Sequence, residues 1–217
     1  MILRIEGYPV GIIGTNCYLV TDEESGRRFV VDPGKWDGSL KRLLLNVKEG
    51  ELDYILLTHG HFDHILGVSD VVKRYGGKIV IHENDSDCFE NSERSLIRSM
   101  DVSEDLPEKA DILVKDGDRL PFAGGFITVM HTPGHSEGSV CYLIENHVFS
   151  GDTLFCGSVG RTDFKYGSYD GIIRSVKRIA ALDGNRKVYP GHGMLTTLER
   201  ERKDNPYLKN ENETDNY

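Results

Sequence analysis

The sequence predicts an α/β fold, whose apolar faces two facing β-sheets with helices outside would bury. Two observations point there. Short apolar runs bounded by Gly, Asp and Pro recur along the chain, as strands do. Apolar residues also recur at three- and four-residue spacing in three segments, as in amphipathic helices. The strands begin as a meander and are later mixed with helices. Packing sheet on sheet, with helices outside, buries every apolar face.

In order, strands are expected at 3–5, 17–20 and 29–31. A helix follows on Leu40, Leu43, Leu44 and Val47, then a strand at 54–57. Ile65, Val68, Val71 and Val72 mark a second helix, followed by a strand at 78–81. Strands at 112–114, 126–130, 140–144 and 148–149 form a later group. Ile172, Ile173, Val176, Ile179 and Ala180 mark a third helix before a last strand at 187–189. No repeat or internal linker interrupts this order. A chain of 217 residues is long enough for one domain with a substantial core, assigned here to 1–208. The polar stretch "KNENETDNY", 209–217, lacks apolar periodicity and is expected to be a disordered tail.

Composition narrows the function classes. A net charge of -9 argues against a nucleic-acid partner, which calls for a basic face. No apolar run reaches the length of a membrane span. The opening "MILRIEGYPVG" has neither the apolar core nor the cleavage site of an export signal. Cys17, Cys88, Cys141 and Cys156 are scattered, with no C-x-x-C pair, which argues against a disulfide framework and for a reducing cytoplasm. Nothing in the sequence speaks to oligomeric state.

The chemistry concentrates in "THGHFDH", residues 58–64, where three of the chain's 8 histidines and an aspartate fall in one short loop. His59 follows the apolar run "YILLT". Extended residues two apart point the same way, so His59 and His61 can aim at one metal. Asp63 and His64 stand where the next helix begins and can face a second point nearby. "HTPGHSEGS" follows a strand and offers His131 and His135. "FSGDTLF" presents Asp152 just past a strand, and "VYPGHG" presents His192 in a glycine-rich turn. Glycine beside each candidate lets the backbone turn sharply and come close. Loops at the end of a rigid sheet are where a site is expected.

"THGHFDH" resembles the H-x-H-x-D-H signature of the metallo-β-lactamase fold superfamily, and "HTPGHSEGS", "SGDTLF" and "YPGHG" are similar to its later motifs in order and spacing. The resemblance covers nearly the whole chain. It implies an αββα sandwich, two mixed β-sheets flanked by helices, with metal ions in a groove at the sheet edges. It places His59, His61 and His135 on a first divalent ion and Asp63, His64 and His192 on a second, with Asp152 bridging. Imidazole and carboxylate suit zinc, the first choice, and also iron or manganese. Two such ions share and activate a bridging hydroxide, which is the expected nucleophile. Asp63 is expected to orient the water or take its proton. In the family the second histidine of "HTPGH" ligates, so His131 is expected to be structural, as are His82 and His147.

The fold hosts many activities, so the branch must be read separately. Flavodiiron-type proteins carry Glu where this chain has His61. The nucleases of the superfamily carry an insertion for nucleic acid, and secreted β-lactamases need an export signal. "GDTLFCGSVGRTDFKYG" and "YPGHGMLTTLERERKDNPYL" look like the short glyoxalase II-like, or hydroxyacylglutathione hydrolase-like, enzymes. The implied reaction is cleavage of an S-hydroxyacyl thioester, a small-molecule substrate. The alternatives are a persulfide dioxygenase with a single iron, which also carries "GRTDF", or another small ester or lactone hydrolase of the same fold. The "YPGHG" ending and the complete seven-residue set favour the two-metal hydrolase. A metal-binding module without catalysis is the reading from another class, and the complete set argues against it. Full-length glyoxalase II enzymes hold the glutathione carboxylate with a C-terminal helical domain that is not expected here. Arg161 keeps a basic position for a carrier carboxylate, with a structural ion pair as its alternative. Asp163 stands where an aromatic residue is common in the family. Lys165, Tyr166 and Cys156 lie near the mouth by sequence, and packing explains them equally well. The glycine runs "GSVG" and "AGG" lack the Gly-Lys-Ser/Thr pattern of a phosphate loop.

Overall fold

Successive side chains on each strand go to opposite layers, and this alternation builds the molecule. The computed structural model describes residues 1–99 and 105–209. Its first half runs β1 (Leu3–Val10), β2 (Thr15–Asp22), β3 (Arg28–Val31), α1 (Gly38–Leu43), β4 (Leu52–Leu56), α2 (Phe62–Ile65), α3 (Val68–Tyr75), β5 (Lys78–His82) and β6 (Ile112–Val114). The second half runs β7 (Arg119–Phe122), β8 (Gly125–His131), β9 (Val140–Ile144), β10 (His147–Gly151), β11 (Leu154–Phe155), β12 (Ser158–Val159), α4 (Tyr169–Ala180), β13 (Lys187–Pro190), β14 (Thr196–Thr197) and α5 (Leu198–Asp204).

The first sheet has the order β1-β2-β3-β4-β5-β6 and the second β14-β13-β10-β9-β8-β7, while β11 and β12 form a small hairpin. Both large sheets are mixed. In the first, β1 to β3 pair antiparallel and β3 to β6 parallel. In the second, only β10 and β13 pair parallel. Tyr18, Phe29, Leu56 and Val80 of the first sheet meet Ile127, Tyr142, Phe149 and Tyr189 of the second in the central layer. Their neighbours Leu19, Val30, Ile55 and Ile79 face the other way, onto Leu40, Val68 and Val71 of the helices. Met130, Cys141, Val148 and Val188 similarly face Val176, Ile179 and Leu198. The result is the αββα sandwich that the sequence resemblance implied.

Every expected strand is present, several of them longer than their apolar runs. The helix expected across Ile65 to Val72 is two helices. The Gly67 N–H donates to Gly34 O instead of continuing the helical ladder, and this close approach requires glycine, since a Cβ would lie 2.0 Å from the Pro33 carbonyl oxygen. The helix expected from Leu40 to Val47 ends at Leu43, and Val47 is buried from the turn that follows. β7 was not expected because "DRLPF" contains proline. It lies on the sheet edge, where a missing backbone donor is tolerated. α5 was missed because "LERERKD" has little apolar periodicity. Of the expected tail, residues 210–217 lie outside the described residues.

The central layer is held by edge-on aromatic packing. Phe29 lies 4.9 Å from Phe122 and 6.1 Å from Phe149 between ring centroids. Phe29→Ala is expected to lower the unfolding free energy by about 3–5 kcal/mol. Urea titration of the metal-free protein checks this, and a loss below about 1 kcal/mol would show that the layer collapses to fill the space.

Candidate metal centre

The strands of both sheets deliver their polar side chains to one end of the sandwich. β4 runs into the loop of His59 and His61, and α2 then presents Asp63 and His64. The loop after β8 carries His135, Asp152 follows β10, and His192 follows β13. Hydrogen bonds between the sheets lock this end. Val140 N–H donates to Thr58 O at 2.8 Å, and Asn16 N–H to Gly191 O at 2.7 Å. The Tyr142 hydroxyl donates to Leu57 O at 2.9 Å, and that of Tyr18 to Pro190 O at 2.7 Å.

All seven residues named from sequence converge here. His59, His61 and His135 form one group whose ligand-type atoms lie within 4.8 Å of one another. Asp63, His64 and His192 form a second, and His59, His64 and Asp152 a third that joins them. Asp152 faces both sides. Its Oδ2 lies 3.4 Å from His135 Nε2 and 3.5 Å from His192 Nε2, while Oδ1 lies 3.5 Å from His64 Nε2. His131 and His82 stand apart, stacked on each other at 4.0 Å, and His147 meets the Tyr189 hydroxyl at 3.0 Å.

The donor atoms fit a cation. His59 Nε2, His64 Nε2 and Asp152 Oδ1 are buried without a hydrogen-bond partner. Buried polar atoms are normally paired, so orphans that converge mark a place for an ion. The far side of several rings is already held. His135 Nδ1 lies 2.8 Å from Arg161 O, and His59 Nδ1 lies 3.2 Å from Thr58 Oγ1. His64 Nδ1 lies 2.9 Å from Asp32 Oδ2. A partner on one ring nitrogen frees the other to bind metal and fixes the ring's orientation. At Gly191 a Cβ would lie 2.1 Å from Asp152 Oδ1, so only glycine lets this turn approach the cluster.

Burial pushes His59 well down from the usual imidazole value, and the neighbouring histidines add to this. His61 goes the same way for the same reasons. Both are therefore neutral and able to donate a lone pair. Burial alone would raise the Asp63 carboxyl, but His64 and His192 beside it hold it far below the usual range. Burial would lower His64, yet Asp63, Asp32 and Asp152 together carry it well up.

Asp32 was not singled out from the sequence. It accepts from Thr58 N–H at 2.8 Å and from the Thr58 hydroxyl at 2.6 Å, besides meeting His64. The available signal was its place, an acid directly after the apolar run of β3, as Asp152 stands after β10. Asp85 was also missed. It is buried and accepts from Gly60 N–H, Gly138 N–H and the Ser136 hydroxyl at 3.0, 2.8 and 2.7 Å, tying the His59–His61 loop to the His135 loop. Thr15 donates to Asp63 Oδ2 at 2.7 Å.

Residues 10–192 match the model of the metallo-beta-lactamase superfamily. The chain belongs to that superfamily. Its members bind divalent metals, and the protein is a metallohydrolase of this fold. It is 32% identical to the hydroxyacylglutathione hydrolase GloC of Haemophilus influenzae, over 95% of this chain and 98% of the relative. Among solved structures it is similar to the BLEG-1 B3 metallo-beta-lactamase, with a TM-score of 0.85 and 32% identity over 95% of this chain and 100% of that one. It is also similar to TTHA1623 in a di-iron-bound form, with a TM-score of 0.81 and 33% identity over 94% and 100%.

Arg161 lines the cavity beside the cluster, with its side chain on Asp163. Lys165 pairs with Glu93, and the Tyr166 ring lies under Arg94. Cys156 is half-buried.

Asp32→Asn is expected to weaken metal binding about 10–100-fold, the usual cost of losing the group that orients a ligand. Competition with a chelator measures this. Unchanged affinity would reduce Asp32 to a fold residue. Asp152→Ala is expected to lose more metal than His64→Ala, and equal losses would count against a shared position. Chelation from a state about 100-fold above Kd removes about 2.7 kcal/mol of stability. At about 2–4 °C per kcal/mol for a chain of this size, the melting temperature is expected to fall by about 5–10 °C in calorimetry.

Proposed function

We propose that the protein hydrolyses S-hydroxyacyl thioesters at a dinuclear metal centre. His59, His61 and His135 would hold one ion, and Asp63, His64 and His192 the other, with Asp152 shared. The observation that carries the reading is the convergence of these seven side chains, with orphaned polar atoms, beside a cavity of about 620 Å³ that His61, Asp63, His135, Asp152 and His192 line. The relation to a hydroxyacylglutathione hydrolase over nearly the full length of both chains supports the substrate class. Zinc suits the donor set, and iron suits it as well, as a di-iron relative illustrates. The four cysteines are unpaired, in keeping with the cytoplasmic site expected.

Divalent ions held there supply a water made acidic near neutral pH and an electrophile for the carbonyl. The chain's own groups do the rest. Asp63 is the carboxylate acceptor there that would orient the attacking water. Thr15 holds its carboxylate through Oδ2, at 2.7 Å. Water adds to the thioester carbonyl carbon, the C–S bond breaks, and the sulfur leaves with the proton that the water lost. Phe155, Val159 and Phe164 line the cavity and shield the reacting group from bulk water. Arg161 also lines the cavity and could take a carrier carboxylate in exchange for Asp163, its partner in this structure.

The reading is tested by incubating metal-loaded protein with S-lactoylglutathione and following thiol release, with glutathione persulfide and oxygen uptake in parallel. Thioester turnover with two metals per chain is expected. Oxygen uptake on the persulfide with one iron, and no thiol release, would replace this reading with a dioxygenase. Arg161→Ala is expected to raise KM for the anionic thioester about two- to five-fold with kcat nearly unchanged, the signature of lost uniform binding. Loss of metal or of folding in this variant would make Arg161 structural.

A further inference from the structure

The cavity above the metal cluster presents one cation, and that cation already holds a carboxylate. Among the described residues that line it, Arg161 is the single Lys or Arg. Beside the candidate ligands the lining is largely apolar, with Ile13, Leu96, Phe155, Val159 and Phe164. The Arg161 guanidinium is fixed from two directions. Its carbon lies 4.4 Å from the Phe164 ring centroid. Phe164 in turn packs edge-on to His61 at 5.3 Å and to His135 at 5.9 Å, so the guanidinium is seated on the wall of the cluster. From the other direction, Nε and Nη2 donate to the two oxygens of Asp163 at 2.7 and 2.6 Å. This paired fork is the geometry in which arginine grips a ligand's carboxylate. Two neighbouring cations are committed elsewhere. Lys165 donates to Glu93 at 2.8 Å, and Arg94 meets Asp87 and Glu137 at 2.9 Å each.

We propose that Asp163 competes, from within the chain, for the place on Arg161 that a carboxylate of the substrate's carrier would take, and so biases the site toward uncharged, apolar carriers. The substrate is taken to be a thioester or ester from the hydrolase reading above, while the competition itself is a property of binding. Asp163 is tethered two residues from Arg161, so it is always present at high effective concentration. Both side chains are exposed, at 62% and 67%, so an incoming carboxylate can displace it. Arg161 also holds the Asp163 carboxyl down at about 2, which keeps it charged under any working condition. A tripeptide thiol with two carboxylates therefore meets a neutralised pair rather than a free cation, on a chain whose net charge is -9. An apolar carrier gains the contacts of the aromatic and aliphatic wall without that competition.

Two thioethers that cannot be hydrolysed test the proposal by titration calorimetry on metal-loaded protein. S-hexylglutathione is anionic, and S-hexyl-N-acetylcysteamine carries the same alkyl group without charge. Asp163→Asn is expected to bind the anionic probe about two- to five-fold more tightly, the range set by an exposed ion pair, and the neutral probe equally well. Asp163→Glu is expected to restore wild-type affinity, and Arg161→Ala combined with Asp163→Asn to abolish the gain. Asp163→Ser replaces the Asn variant if that one fails to load metal. Unchanged or weaker binding of the anion, equal tightening of both probes, or binding of neither would each overturn the proposal. Turnover of S-lactoylglutathione is followed in the same proteins. An affinity shift without turnover would sink the hydrolase reading and leave the competition standing. Turnover without an affinity shift would do the reverse.

Discussion

The structure depends on a convergence of lone pairs that its own atoms do not satisfy. His61 Nδ1 and His135 Nε2 lie 2.9 Å apart, a gap with room for at most one proton. His59 Nε2, His64 Nε2 and Asp152 Oδ1 are buried without a hydrogen-bond partner. Left alone, such a cluster costs desolvation and mutual repulsion. A bound cation turns the same arrangement into a gain, which is why metal affinity and folding are coupled at such a site. The rest of the fold holds these groups in place against their tendency to separate.

The restraint comes from strand ends rather than from the loops alone. Each loop with a candidate ligand begins where a buried strand stops, and strands in a packed sandwich cannot shift individually. Tyr18 and Tyr142 carry the restraint across the central layer. Each is aromatic in the core and donates its hydroxyl to a backbone carbonyl near the cluster. Asp32, Asp85 and the Arg161 carbonyl then aim individual loops and rings. Asp85 is notable because it touches no candidate ligand, yet it joins two loops that carry them. Arg161 has two separate duties. Its carbonyl oxygen holds His135 while its side chain lines the cavity, so a substitution there tests only the second.

Charge near the mouth is arranged in closed pairs: Arg161 with Asp163, Lys165 with Glu93, Arg94 with Asp87 and Glu137. In an acidic protein this leaves the metal cluster as the dominant positive feature once it is loaded. Under the proposed function the ions would draw the reacting group of a substrate, while apolar contact and access to Arg161 would sort the remainder. Reaction type and carrier preference would then be decided by different residues, which is how one fold hosts many substrates.

The sequence by itself determined which strand positions are buried and which residues are ligand candidates, because both are local. Alternation of apolar residues sets which face of a strand is buried. Histidine, aspartate and glycine just past a strand end mark a site whatever the strand packs against. His59, His61, Asp63, His64, His135, Asp152 and His192 were all legible this way. Tertiary structure alone decided the partners. Asp32 and Asp85 read as ordinary loop acids until strands distant in sequence bring Thr58, His64 and Ser136 against them. The break at Gly67 depends on Pro33 passing within touching distance. Arg161 was legible as a cation near the mouth, but its pairing with Asp163 depends on the loop's conformation. Contacts of this kind come from chain segments that the packed sheets bring together, and no local pattern encodes them.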